Sequence, residues 1–292
     1  MKTVKKIAAL VLGAAAVLSM ASCSQAQSSS GAQSAETVAS SGAQSAKTAE
    51  SGAQTSVDQI KSSGTVVMST NAEFEPFEYK DGNKIIGIDV DIANAIAQKL
   101  GGVKLKINDV AFDSLTMELQ TGKCNFVAAG MTITPDKQKN VDFSDPYFDA
   151  TQSIIVLKGS PIQSRTGLNG KKVGVQQGTT GDTYCTNEKG TNDIKVGEVK
   201  RFNKGADAIS DLMNGRIDAV VIDDFPAQKF VSKHPEKLVK LKDALTVEHY
   251  AIAVKKGDKA MLDVVNSVLK ELKSSGKLDK IVQNYKSSLE GE

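Results

Sequence analysis

The chain has 292 residues, 36 basic against 34 acidic side chains, and a formal net charge of +2 at neutral pH. With 40% hydrophobic and 24% charged residues it has the composition of a globular protein long enough for one or two domains with a sizeable core. Charge so nearly balanced gives no field of the kind that marks a nucleic-acid partner, and none is expected.

Lys2, Lys5 and Lys6 precede an apolar run from Ile7 to Leu18. A bilayer span needs ~20 residues, so residues 1–22 read as an export signal and not as a permanent membrane helix. Without them the chain carries 33 basic and 34 acidic groups, a net charge of −1. The run ends Leu18-Ser19-Met20-Ala21-Ser22-Cys23. This resembles a bacterial lipobox, with Met20 where Leu, Val or Ile is usual. The resemblance implies that Cys23 is lipidated, with palmitate among the acyl chains, and becomes the first mature residue; ordinary secretion with Cys23 left over is the alternative. Stable anchoring takes two acyl chains. Residues 24–56 are nearly all Ser, Ala, Gln, Gly and Thr, and SGAQSA occurs at both 30–35 and 41–46. So few large apolar side chains cannot offset the entropy of ordering, so residues 23–56 are expected to be a disordered tether of roughly 30 Å end to end.

From residue 57 onward, strand-like and helix-like segments alternate, which predicts an α/β fold with largely parallel sheets. Thr65–Ser69 and Ile85–Ile88 read as strands. Asp89 stands in N-cap position before a helix carrying Ile92, Ile96 and Leu100, and Gly101-Gly102 stops it. The stretch Leu119–Gly130 can be laid over Leu212–Asp223 with an offset of 93 residues. Each reads as a helix end, a glycine, a basic residue, a polar residue and a buried strand; any αβ unit could look this way. In open α/β sheets ligands collect beyond the carboxyl ends of strands, here Gly130–Thr132 and Asp223. Leu262, Val265, Leu269 and Leu272 mark one C-terminal helix, and Leu278, Ile281, Val282 and Tyr285 a second.

Several blocks stand in register: Thr70-Asn71-Ala72-Glu73-Phe74-Glu75-Pro76-Phe77, Gly87-Ile88-Asp89-Val90-Asp91, Ala129–Lys137, Val141–Tyr147, Gly170–Gly181 and Gly215–Val220. The series resembles the polar amino-acid-binding proteins of bacterial ABC importers, solute-binding protein family 3, over essentially all of residues 57–292. The resemblance implies the two-lobed type II periplasmic-binding-protein fold, two mostly parallel sheets joined by two crossover strands near Tyr147–Thr151 and Thr246–Tyr250. Lobe 1 is expected at 57–151 plus 247–292, and lobe 2 at 152–246.

A free amino acid carries a carboxylate and an ammonium on one carbon, and both must find oriented partners when desolvated. The resemblance places Lys137 at the carboxylate, where relatives carry arginine; lysine gives a point charge instead of a fork. Backbone N–H groups near Thr132 and Thr180 are expected to share it, and Thr179 is expected among the ligand-binding residues. Asp223 is implied as the ammonium partner, helped by the Gly130 carbonyl and the Thr132 hydroxyl, with Asp224 solvated. Phe74 and Phe112 are implied around the ligand's carbon body, and Phe77 in packing. Asn71 and Gln176 would face the ligand side chain; as neutral amides they lean toward an uncharged polar ligand such as glutamine, while Glu73 or Glu75 could attract a basic one.

The expected function is a lipid-anchored, extracytoplasmic binding protein, monomeric and on the outer face of the cell membrane or in the periplasm. It delivers a polar, neutral or basic amino acid to an ABC permease. No catalytic residue, cofactor or metal is expected. A dehydratase of prephenate or arogenate on the same fold is the alternative, and a sensor module acting through a separate partner is a further one. Cys124 and Cys185 are expected as free thiols in different lobes. His234 and His249 stand alone, and Asp89 and Asp91 are expected as helix-start residues.

Overall fold

The structure is a computed structural model that describes residues 54–290. The expected signal, the lipidation at Cys23 and nearly all of the tether lie outside these residues.

Two five-stranded sheets share one topology. In lobe 1 the β-branched strand Thr65–Thr70 lies between Lys104–Asp109 and Phe126–Val127, parallel to both. Ala253–Lys255 then runs antiparallel to Phe126–Val127, and Val141–Phe143 forms the edge. In lobe 2 Lys172–Gln176 lies parallel between Glu198–Phe202 and Ala219–Asp223. Gln152–Leu157 runs antiparallel beside Ala219–Asp223, and Leu238–Lys240 forms the edge. Four strands of each sheet run one way, and the returning strand, antiparallel to both its neighbours, makes the sheet mixed. The two echoed segments occupy the same place, the third strand of each order.

Phe148–Ala150 and Glu248–Tyr250 pair antiparallel as a two-stranded sheet, with Glu248 opposite Ala150. These segments connect one large sheet to the other. Phe77 plugs the junction, its ring 5.0 Å from Phe148, 5.1 Å from Tyr250 and 6.2 Å from Phe225, each edge to face. Such tilted contacts suit the aromatic quadrupole, and the fully buried Phe77 is a packing residue.

The strand expected at residues 85–88 forms only as far as Ile86. Lys84–Ile86 is the last strand of a small antiparallel sheet with Glu73–Phe74 and Glu78–Asp81. The next helix, Ile88–Lys99, is capped by Gly87 and not by Asp89. Gly87 has φ +135°, and a Cβ there would lie 2.1 Å from the Phe77 carbonyl oxygen. Only glycine allows so abrupt an entry, and the helix therefore begins two residues early and turns Asp89 inward. The two C-terminal helices form as expected, at Lys259–Ser274 and Lys277–Glu290. The first buries Met261, Val265, Val268, Leu269 and Leu272 on one face. Cys124 and Cys185 are buried free thiols, and burial pushes them up to about 11 and about 12.

Candidate functional site

One small cavity between the lobes is lined by Asn71, Phe74, Phe112, Gly130, Thr132, Lys137, Gln176, Thr179, Thr180 and Asp223. All ten residues expected around a ligand are thus brought together. The space admits the centre of about one water molecule, ≈ 10 Å³. It adjoins a vestibule of ≈ 1150 Å³ that shares Phe112, Thr132, Lys137 and Thr180.

Each wall residue is set by local chemistry. Lys137 sits in a short helix, Pro135–Gln138, that begins with Pro135 and is capped by Thr134, whose hydroxyl accepts the Lys137 N–H at 3.2 Å. Its ammonium lies 5.9 Å from the centre of the Phe112 ring, a cation–π contact. Desolvation pulls Lys137 below the usual lysine range, opposed by the charges of Glu248, Asp223 and Asp136. Gly130 follows the third strand of lobe 1 with φ +50°, and a Cβ there would stand 2.7 Å from Phe74 Cε1. Glycine is required for both reasons.

Asp223 ends the third strand of lobe 2 after Ala219-Val220-Val221-Ile222, and all five residues are buried. The Tyr250 hydroxyl donates to it. Burial raises Asp223 to about 7; the nearby charge of Glu248 adds to the rise, and hydrogen bonds from Tyr250 and Gln152 oppose it. Lys137 and Asp223 therefore face one space with opposite charges, one from each lobe. Asn71 and Gln176 meet across the floor, where Gln176 Nε2 donates to Asn71 Oδ1 at 2.9 Å. Asn71 Nδ2 also donates to the Val110 carbonyl at 2.8 Å. Thr179 caps the helix Thr180–Thr186 through the Asp182 N–H.

Two expectations need correction, and one residue does more than expected. Asp224 is not solvated: it is half-buried, pairs with Lys240 and accepts from Ser153 Oγ at 2.7 Å. Glu73 and Glu75 are engaged by lobe 2 lysines instead of turning to the ligand space. Glu73 pairs with Lys204 at 2.7 Å, and Glu75 with Lys233 at 2.8 Å and Lys229 at 3.3 Å. Asp89, besides its place in a first helical turn, is fully buried under the site wall. It accepts the Gly130 N–H at 2.8 Å and the Tyr147 hydroxyl at 2.6 Å. Burial raises Asp89 to about 6, and burial together with the nearby charge of Asp89 drives Glu78 well above the carboxylate range.

Glu248 escaped sequence reading. It is 5% exposed and accepts hydroxyl protons from Thr132 at 2.6 Å, Thr180 at 2.8 Å and Thr246 at 2.7 Å. In the structure Glu248-His249-Tyr250 alternate buried, exposed, buried, which puts the acid on the inner face of a crossover strand, and three polar-ended side chains in a row gave the sequence no signal of it. His249 is exposed, with Nδ1 2.7 Å from Asp149 Oδ1. Among the described residues no group of three or more His, Cys, Asp or Glu is placed to hold a metal ion, and no helix is long and apolar enough to cross a membrane.

Residues 66–288 match the bacterial extracellular solute-binding proteins, family 3. The chain belongs to this family. It is 40% identical over 223 residues to a probable histidine-binding protein of Neisseria gonorrhoeae, a match covering 75% of this chain and 81% of that one. The arginine-bound form of truncated ArgBP from T. maritima is 47% identical with a TM-score of 0.68, over 74% of this chain and 99% of that one. An ancestral amino-acid-binding protein described as a precursor of cyclohexadienyl dehydratase is 36% identical with a TM-score of 0.70, over 78% and 98%. Membership of this family makes the chain a substrate-binding protein with the two-lobed periplasmic-binding fold.

Proposed function

We propose that this protein binds a free polar amino acid, neutral or basic, between its lobes and delivers it to an ABC permease as a monomer. Lobe 1 is assigned to residues 57–151 plus 247–292 and lobe 2 to 152–246. The observation that carries the reading is the pairing of Lys137 and Asp223 across one cavity. Lys137 takes the ligand carboxylate and Asp223 the ammonium, with the Gly130 carbonyl and the Thr132 hydroxyl beside it. Backbone N–H groups near Thr132, Thr179 and Thr180 share the carboxylate, Phe74 and Phe112 flank the carbon body, and Asn71 and Gln176 meet the side chain. The space between these groups is narrower than an amino acid, so a ligand enters by displacing one lobe from the other, and its differential affinity sets the balance. The binding of histidine and arginine by relatives, named as such, supports a basic ligand, and the Asn71–Gln176 amide pair supports a neutral one.

Localisation follows from the sequence: an export signal, Cys23 as the lipidated residue, and a tether holding the body on the outer face of the cell membrane or in the periplasm. A thermal-shift screen against the twenty common amino acids, on protein lacking residues 1–56, tests the binding role. Ligand at ~100 times its dissociation constant adds ~2.7 kcal/mol, and no shift with any amino acid would refute the reading. Asp223, raised to about 7, keeps the dehydratase alternative in play because a general acid works best near the ambient pH. Turnover of prephenate or arogenate by the purified protein would decide for it.

A further inference from the structure

Glu248 lies in the second crossover strand, outside the small cavity but in the lining of the vestibule, and touches both lobes. One oxygen, Oε2, accepts from the Thr132 hydroxyl of lobe 1 and the Thr180 hydroxyl of lobe 2, while Oε1 accepts from Thr246. A threonine hydroxyl has one proton to give. Once that proton points at Glu248, the oxygen offers only lone pairs to the cavity. Thr180 Oγ1 has a further partner, since it accepts Gln152 Nε2 at 3.0 Å. Thr132 is the hydroxyl left facing the ligand as an acceptor, with a carboxylate directly behind it.

We propose that Glu248 is a positioning residue that turns the Thr132 hydroxyl into a fixed acceptor, so that the site selects a charged α-ammonium over an α-hydroxyl or α-keto group. This deepens, and rests on, the amino-acid reading of the cavity. An α-keto acid presents only acceptors to Thr132, and an α-hydroxy acid donates without positive charge. An ammonium donates and is drawn by two carboxylates, Asp223 directly and Glu248 through the hydroxyl. Hydrogen bonds to charged donors are roughly twice as strong as neutral ones. Lys137 is the cation that feels the charges of Glu248 and Asp223, while Asp136 is paired with Lys139 and Lys189. Because Thr132 and Thr180 belong to different lobes, the same carboxylate fixes both hydroxyls only when the lobes are together.

The test uses calorimetry with whichever of L-arginine, L-histidine and L-glutamine binds the wild type most tightly, and with the 2-hydroxy acid of the same side chain. Glu248→Gln keeps the shape but can donate to the threonines, freeing their protons toward the cavity. The variant is expected to bind the amino acid about tenfold or more weakly and to lose most of its preference over the hydroxy acid. Thr132→Val/Glu248→Gln is expected to bind within about threefold of Thr132→Val alone, the signature of one residue acting through the other. Melting curves confirm that each variant is folded. A Glu248→Gln protein that binds both ligands like the wild type, or loses both equally, overturns the assignment while the amino-acid reading stands. Binding of none of the twenty common amino acids by the wild type overturns that reading and this assignment with it.

Discussion

Replacing Asp223 with asparagine should move stability and binding in opposite directions. The carboxyl is buried at a strand end and raised from 3.8 to about 7, mainly by desolvation. For a carboxyl whose folded pKa exceeds its unfolded one, the stabilisation is complete below the unfolded value and is lost as pH rises through the folded value. Between 3.8 and about 7 the folded chain holds a proton that the unfolded chain has released. Above pH 7 the ionised group therefore lowers stability by at most about 4 kcal/mol, at 1.36 kcal/mol per pKa unit. Asparagine keeps an oxygen for the Tyr250 hydroxyl and removes the charge. Without ligand, Asp223→Asn should melt above the wild type at pH 8.5, and the gap should shrink at pH 5. Each kcal/mol is worth about 2–4 °C for a chain of this size. With ligand the sign reverses, because the ammonium has lost its counter-charge; affinity should fall by about 2–5 kcal/mol. Calorimetric scans at the two pH values and titrations with L-arginine, L-histidine and L-glutamine read both effects. A variant that is less stable at both pH values and binds unchanged would show Asp223 to be an ordinary structural acid, and the site argument would fail.

Lys137→Ala should weaken binding of the same amino acids by about 2–5 kcal/mol, whereas Lys137→Arg should retain it; equal loss in both would place the lysine outside the carboxylate contact. Gly130→Ala forces a Cβ against Phe74 at φ +50°, and a strain of about 1–3 kcal/mol should appear as weaker ligand binding in calorimetry. Raising ionic strength should loosen the contacts of Glu73, Glu75 and Asp136 with lysines of lobe 2; small-angle scattering without ligand should show a larger radius of gyration, and an unchanged radius would deny these pairs a part in closure. Cys23→Ser should release the protein from membranes into the soluble fraction, and retention would contradict lipidation at that residue.

The repeat at 93 residues was legible because each lobe solves the same problem, a short helix stopped by glycine before a buried strand. The ends of those strands were legible because an acid after Ala219-Val220-Val221-Ile222 needs a partner. What stayed hidden depends on chain segments far apart in sequence. Glu248 reaches Thr132 and Thr180 across 116 and 68 residues, and no local pattern announces three hydroxyls converging on one carboxylate. Glu73 and Glu75 looked free to meet a ligand because Lys204 and Lys233 lie 131 and 158 residues away. Asp89 looked like any helix-start acid, since the inward turn is imposed by Gly87 packing on Phe77.

The inner and outer charges work against each other, and that opposition gives the ligand its leverage. With the lobes as they stand, Lys137 and Asp223 are buried, and desolvation pushes each toward its neutral form. The rim pairs favour approach, yet exposed ion pairs are individually weak. Lobes held only by that rim would be close to balanced between apart and together. On the proposed assignment, a zwitterion in the cavity would supply a carboxylate beside Lys137 and an ammonium beside Asp223, so the desolvated charges would become paired ones. The same groups that resist closure alone then favour it, and a neutral molecule of equal size, lacking both charges, should leave the balance where it was.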